Sequence, residues 1–295
     1  MLNVLHKNIN KLILSFLIAS GFYFTAFPQT SIGGIINKYG KVNAIGQDYV
    51  IISDPVQFAY FQPGDTVLLI QMKGGISIVD ETAQFGLIQD TIGSPGKYEF
   101  LIISNVVPAQ MRINFRNNCV NSYSVRGNLQ LVKVPSFNTA VVDSELTCEP
   151  WDSISGTGGV IALIVARTLH LNADINVTGK GFKGGATSIG TGICVGSDPP
   201  GLDRFGFDAS FQNSGFKGES PVTRGILNLS VLYPVYPNFS KGKGNNFTGG
   251  GGGNGRFSGG GGGSNYGTGG RGGLEVNTCS PNPEDGGIGG RQVRF

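Results

Sequence analysis

Glycine constrains this chain more than any other feature. Of its 49 glycines, 22 fall in residues 241–295, including two unbroken runs of five at 249–253 and 259–263. The tract has no strict Gly-X-Y triplet, which excludes a collagen triple helix. Two structures suit it. One is a flexible linker, because ordering polyglycine costs much backbone entropy. The other is a set of extended chains stacked closely, where only glycine permits the approach. Phe247, Phe257 and Tyr266 before, between and after the runs, and the later Cys279, favour some order.

The rest of the chain reads differently. Charged residues make up only 14% and net charge is +3, so no electrostatic footprint for nucleic acid or an anionic membrane is present. Residues 1–29 read as a secretory signal peptide. Lys7 and Lys11 flank an apolar stretch from Leu12 to Phe27, which Pro28 and Gln29 end too early for a stable membrane span. Residues 30–150 alternate short apolar runs with turn signals. Tyr49-Val50-Ile51-Ile52, Thr66-Val67-Leu68-Leu69-Ile70, Tyr98-Glu99-Phe100-Leu101-Ile102-Ile103 and Leu129-Gln130-Leu131-Val132 read as strands of a sandwich or barrel.

Residues 151–240 form a second region, with β-helix-like strands. From Thr168 to Thr178 polar and apolar residues alternate, giving one wet and one buried face. Residues 160–166 are apolar on both faces and read as a central strand, with Arg167 at a turn between two rungs. The expected class is therefore all-β: a sandwich or barrel-like domain, β-helix-like strands, then the glycine-rich segment 241–295. A weak internal repeat, Gly181-Phe182-Lys183-Gly184-Gly185 and Gly215-Phe216-Lys217-Gly218-Glu219, lies within the second region and is too short to prove a solenoid.

No residue set carries a catalytic, cofactor or metal assignment. Gly179-Lys180-Gly181-Phe182-Lys183-Gly184 matches G-x-G-x-x-G, but no helical pattern follows to hold a pyrophosphate, so it reads as a glycine turn. His170 is the one histidine after residue 29, and it falls on the wet face of a strand. Asp203 with Asp208, and Glu284 with Asp285, lie in turns, where turn stabilisation is the simpler role. N-x-[ST] triplets at Asn176, Asn228, Asn238 and Asn246 matter only in a host that glycosylates them. Cys119, Cys148, Cys194 and Cys279 are disulfide candidates for an exported chain, paired Cys119–Cys148 and Cys194–Cys279 in the simplest reading; buried or free thiols are the other.

Several stretches together carry a family resemblance. They are Phe61-Gln62-Pro63-Gly64-Asp65 running into Thr66-Val67-Leu68-Leu69-Ile70-Gln71-Met72-Lys73-Gly74, then Leu129-Gln130-Leu131-Val132-Lys133-Val134-Pro135, Trp151-Asp152, Gly158-Gly159-Val160-Ile161-Ala162-Leu163, and the 179–185 glycine motif. Over residues 35–290 the chain resembles the N-terminal region of large Bacteroidota-type secreted surface proteins, adhesin-like or gliding-motility-associated. The resemblance implies export by the type IX system and a C-terminal sorting domain. Here the chain stops at Arg294-Phe295 without one, which suggests part of a longer protein. The expected role is a non-catalytic secreted or outer-surface structural or adhesion protein. Its expected partners are extracellular glycans or neighbouring surface proteins, with no nucleic acid and no membrane span after signal cleavage. The alternative is a polysaccharide lyase or glycosidase on a β-helix scaffold.

Overall fold

The computed structural model describes residues 29–189, 204–222, 240–265, 267–275 and 286–292. The elements in chain order are β1 (Thr30–Ile35), β2 (Lys38–Lys41), β3 (Ala44–Ile45), β4 (Tyr49–Ile51), α1 (Pro55–Phe58), β5 (Thr66–Gln71), β6 (Gly75–Ser77), β7 (Ile88–Thr91), β8 (Tyr98–Val107), β9 (Arg112–Phe115), β10 (Leu129–Val134), β11 (Ser136–Thr147) and β12 (Ile164–Leu171). The fold is all-β, as expected, and α1 is a single turn. Asp54 caps it by accepting from the Val56 and Gln57 amides, and Pro55 pre-sets its first residue.

Seven strands join in the order β2-β10-β5-β8-β9-β4-β3, every pair antiparallel. The two ends of this order are one run of chain. The Val42 amide donates to Leu129 O (3.0 Å) on the β10 side, and the Asn43 amide donates to Ile51 O (2.8 Å) on the β4 side. The run from β2 to β3 thus leaves one neighbour for the other and closes the sheet into a barrel, which removes its open edges. Alternation decides what lies inside. On β5, Val67 and Leu69 point inward with Leu101, Ile103, Ile113, Phe115, Leu129 and Leu131, while Phe58 and Phe61 from the α1 segment join the same core. Leu68 and Ile70 point outward into a second cluster with Tyr39, Val132, Val134 and Cys148.

That outer cluster is covered by the second region. β1, β11 and β12 form a three-stranded parallel sheet, the arrangement of successive β-helix rungs. Its core holds Ile32, Ala140, Val142 and Leu146, with Val165 and Leu169 packed against it. Both β1 and β11 come from residues 30–150, so the chain weaves between barrel and rungs.

Residues 160–166 depart from the expected central strand. Residues 160–163 are irregular, and β12 begins at Ile164 on the edge of its sheet. The stretch is apolar on both sides because it is wedged between two cores. Ala162 is buried in the barrel's outer cluster, Leu163 packs on the rung core, and Ile161 touches both. Buried amides hold it there. Asn37 accepts from the Ala162 amide (3.1 Å) and donates to Ala162 O (2.7 Å), and Gln130 exchanges the same two bonds with Gly158 (2.9 and 3.0 Å). Arg167 does not mark a turn. β12 runs through it, with one extra residue opposite Phe137–Thr139, a β-bulge.

The expected Cys119–Cys148 disulfide does not form. Cys119 packs against the barrel interior and Cys148 sits in the cluster on the barrel's outer face, so the sheet lies between the two thiols. Cys194 and Cys279 lie outside the described residues. Among the described residues no helix is long and apolar enough to cross a membrane.

Candidate functional site

The glycine tract is ordered where it is described. Its chains bond each other every third residue. Gly215 and Gly218 donate to Gly253 O and Gly250 O (both 2.8 Å), and Gly259 and Gly262 donate to Gly273 O and Gly270 O (both 2.9 Å). Gly287 and Gly290 donate in turn to Gly259 O and Gly262 O (both 2.9 Å). A step of three is the period of a polyproline II-type helix, whose backbone groups all point outward, and not the step of two of a β-ladder. Each helix therefore offers three faces, and the first glycine run has neighbours on all of them. Gly250 accepts from Gly218, Gly251 donates to Ile288 O and accepts from Gly261, and a methyl group on Gly252 would overlap Gly215 O. Side chains cannot fit between backbones at this distance. Added Cβ atoms at Gly250, Gly251, Gly287 and Gly289 would all lie closer than 3.0 Å to a neighbouring carbonyl oxygen.

The repeated motif gains its meaning here. Three-residue spacing puts Gly215 and Gly218 against the first glycine run and turns Phe216 and Lys217 away from that run. Lys217 is buried, with Nζ donating to the Phe205, Gly242 and Gly244 carbonyls and lying 4.4 Å from the Phe85 ring centre. Lys241 is buried likewise, donating to Phe211 O (2.7 Å) and Ser188 Oγ (3.3 Å) over the Phe216 ring. Carbonyl dipoles and ring faces replace the water these cations lose.

Among the described residues the layer is tied to the rest of the molecule at several places, two of them built on Arg291 and Glu219. Arg291 donates to Ala83 O and Phe85 O (2.6 and 3.0 Å) in the β6–β7 connection. At the second, Glu219 pairs with Lys73 of the barrel, accepts from Trp151 Nε1 (3.0 Å), and accepts from the Lys183 amide (3.2 Å). Phe182 packs edge-on against Trp151 at 5.5 Å. Burial is the largest single influence on Glu219 and raises its pKa. The hydrogen bonds from Lys73, Trp151 and the Lys183 amide together outweigh it and hold the carboxyl below its ordinary value.

Among the clefts on the described surface, two bear on function. One, of about 370 Å³, lies between barrel and rungs and is lined in part by Tyr39, Gln57, Tyr60, Glu149, Asp152 and Ser155. Several of its polar groups are already engaged: Tyr39 donates to Val160 O (2.7 Å), and Gln57 accepts from the Lys41 amide (2.8 Å). Asp152 accepts from the Ile154 amide (3.0 Å), which with Ser155 lowers its pKa. A carboxyl so held is poorly suited to protonate a leaving group. The other cleft, of about 350 Å³, lies on the glycine layer beside the turn joining the two five-glycine runs. At that turn Phe257 is 79% exposed and adopts φ +63°. A bulky side chain in that region costs about 1–3 kcal/mol.

Of the residues the sequence offers for chemistry, those described do not converge. His170 is exposed on β12. Asp208 caps its own turn by accepting from the Ser210 amide (2.8 Å), while Asp203, Glu284 and Asp285 lie outside the described residues. Gly179 sits in a turn at φ +71° with no helix after it. Asn246 is buried and donates to Gly218 O, so the folded chain cannot carry a glycan there; Asn228 and Asn238 lie outside the described residues. Burial, with Glu99 and Asp48 nearby, pushes the Cys119 thiol up to about 11, far from a reactive thiolate. Among the described residues no three His, Cys, Asp or Glu side chains gather as a metal site.

The geometry defines an all-β protein in which a closed barrel and a parallel rung stack support a packed polyglycine layer. No protein-family model matches the chain, and no curated protein matches it significantly. Among solved structures it has a likeness to the tailspike protein gp49 from Pseudomonas phage LKA1, at 13% identity and a TM-score of 0.22. That likeness covers 52% of this chain and 24% of the tailspike, so the match spans about a quarter of that protein's length, too weakly to argue from.

Proposed function

We propose that this is a non-catalytic secreted or outer-surface protein with a structural or adhesive role. The observation that carries the reading is the polyglycine layer. It is an ordered slab of backbone-to-backbone contacts, tied to the barrel, that carries an exposed loop and a polar cleft. The N-terminal charge and apolar pattern supports export, and the resemblance to Bacteroidota-type surface proteins exported by the type IX system supports the same address. The contacts expected of it are with extracellular glycans or neighbouring surface proteins.

Fractionation of cells expressing the full chain should place it in the medium or on the outer surface. The purified protein should bind cells or a glycan array. Retention inside the cell together with absence of any binding would sink the reading. Turnover of pectin- or alginate-like polysaccharide would replace it with the enzymatic alternative.

A further inference from the structure

Resting on the adhesive reading, we infer that the turn at Phe257 and the cleft beside it bind an acidic pyranose of a polysaccharide. The turn leaves the first glycine run at residue 253 and enters the second at residue 259, so a rigid layer anchors both ends. Within it Gly255 has φ +77° and Phe257 φ +63°. Glycine or asparagine would occupy the second position with less strain, yet the chain places a phenyl ring there and exposes 79% of it. Neither burial nor local conformation accounts for that ring, and strain kept at an exposed position is a mark of contact with something else.

The surroundings select the ligand. Ser188, Gln212, Asn213 and Ser258 line the cleft with Arg256 and Phe257. Its volume of about 350 Å³ lies at the small end of ligand sites, about 300–1,000 Å³. An aromatic face packs on the C–H face of a sugar ring, and amides and hydroxyls exchange hydrogen bonds with its hydroxyl groups. Arg256 is the one charged residue in the lining, its guanidinium 5.5 Å from the Phe257 ring centre. A planar cation beside a stacking ring, with no carboxylate in the lining, favours a sugar that carries a carboxylate.

The test uses the full chain, polygalacturonate as the acidic probe and dextran as the neutral comparator, with binding followed by calorimetry. The wild type should bind polygalacturonate more tightly than dextran. Phe257→Gly should weaken that binding at least ten-fold while its melting temperature stays level or rises, because the variant loses the ring and the strain together. Arg256→Gln should remove the preference for the acidic polymer. If the wild type binds polygalacturonate and Phe257→Gly binds it equally well, this site is wrong while the adhesive reading stands. If the wild type binds neither polymer, the acidic-sugar assignment fails. The adhesive reading fails with it only if cells and the glycan array are also left unbound.

Discussion

The barrel and the glycine layer exclude water by opposite means. In the barrel, alternating strands send Val67, Leu69, Leu129 and Leu131 inward, and the interior is filled by side chains. In the layer, side chains are absent from the contact and backbones bond directly to backbones in three directions. The first kind of core is damaged by making residues smaller, the second by making them larger. Its stability rests on hydrogen bonds between peptide groups that would otherwise be lost to solvent, and on the buried lysines that close its carbonyl-rich side.

Several substitutions separate the two. Gly252→Ala should have the largest effect. Its methyl group meets the Gly215 backbone, which cannot rotate aside, so a loss of more than about 3 kcal/mol is expected. Hydrogen exchange should then show the layer opened and the barrel still protected; a barrel that opens with it would mean the two regions fold as one unit. Leu131→Ala, fully buried in the barrel, should cost about 3 kcal/mol from the lost burial and the cavity left behind. Denaturant titration measures it. Lys217→Met keeps the side-chain volume but leaves its carbonyl acceptors unsatisfied, for a loss of about 2 kcal/mol confined to the layer.

Acid should loosen the joint at Glu219. A carboxyl whose folded pKa is depressed stabilises the fold above its unfolded value of 4.5, and that contribution is lost as pH falls through the lower folded value. The wild-type melting temperature should fall more between about pH 6 and about pH 3 than that of Glu219→Gln, which has no proton to take up. Equal falls would show that the joint is not coupled to this carboxylate. The smallest effect belongs to Gly273→Ala. Its site faces open space, so a change below about 0.5 kcal/mol is expected although it lies in the same tract as Gly252. A large loss there would mean that close approach at the substituted position is not what excludes side chains from the tract.

Much of the barrel is legible residue by residue. β5, β8 and β10 begin where their apolar runs begin, at Thr66, Tyr98 and Leu129, because turn residues bound each run. The wedge at 160–163 was misread because an apolar run looks the same whether buried as a strand or pressed between two cores as irregular chain. Asn37, Gln71 and Gln130 carried no signal, since a buried amide is recognised by the backbone groups it meets. Gln71 bonds Lys73, Ile92, Ser94 and Ser124, scattered across the chain. The Phe257 site was visible only as an aromatic between glycine runs; its exposure and its φ come from the turn.

By itself the sequence determined the all-β class, the division between a patterned region and a glycine tract, and the scarcity of residues equipped for catalysis. These follow from composition and local periodicity, which act over a few neighbouring residues. Tertiary structure decided that the tract is ordered where it is described, that the sheet closes, and that Cys119 and Cys148 lie on opposite sides of it. Polyglycine alone has no reason to settle in one conformation. It becomes a solid layer because six described stretches, near 215, 242, 250, 260, 270 and 288, meet at backbone distance and satisfy one another's hydrogen bonds. No single stretch encodes that meeting, and the barrel beneath it gives the layer its place.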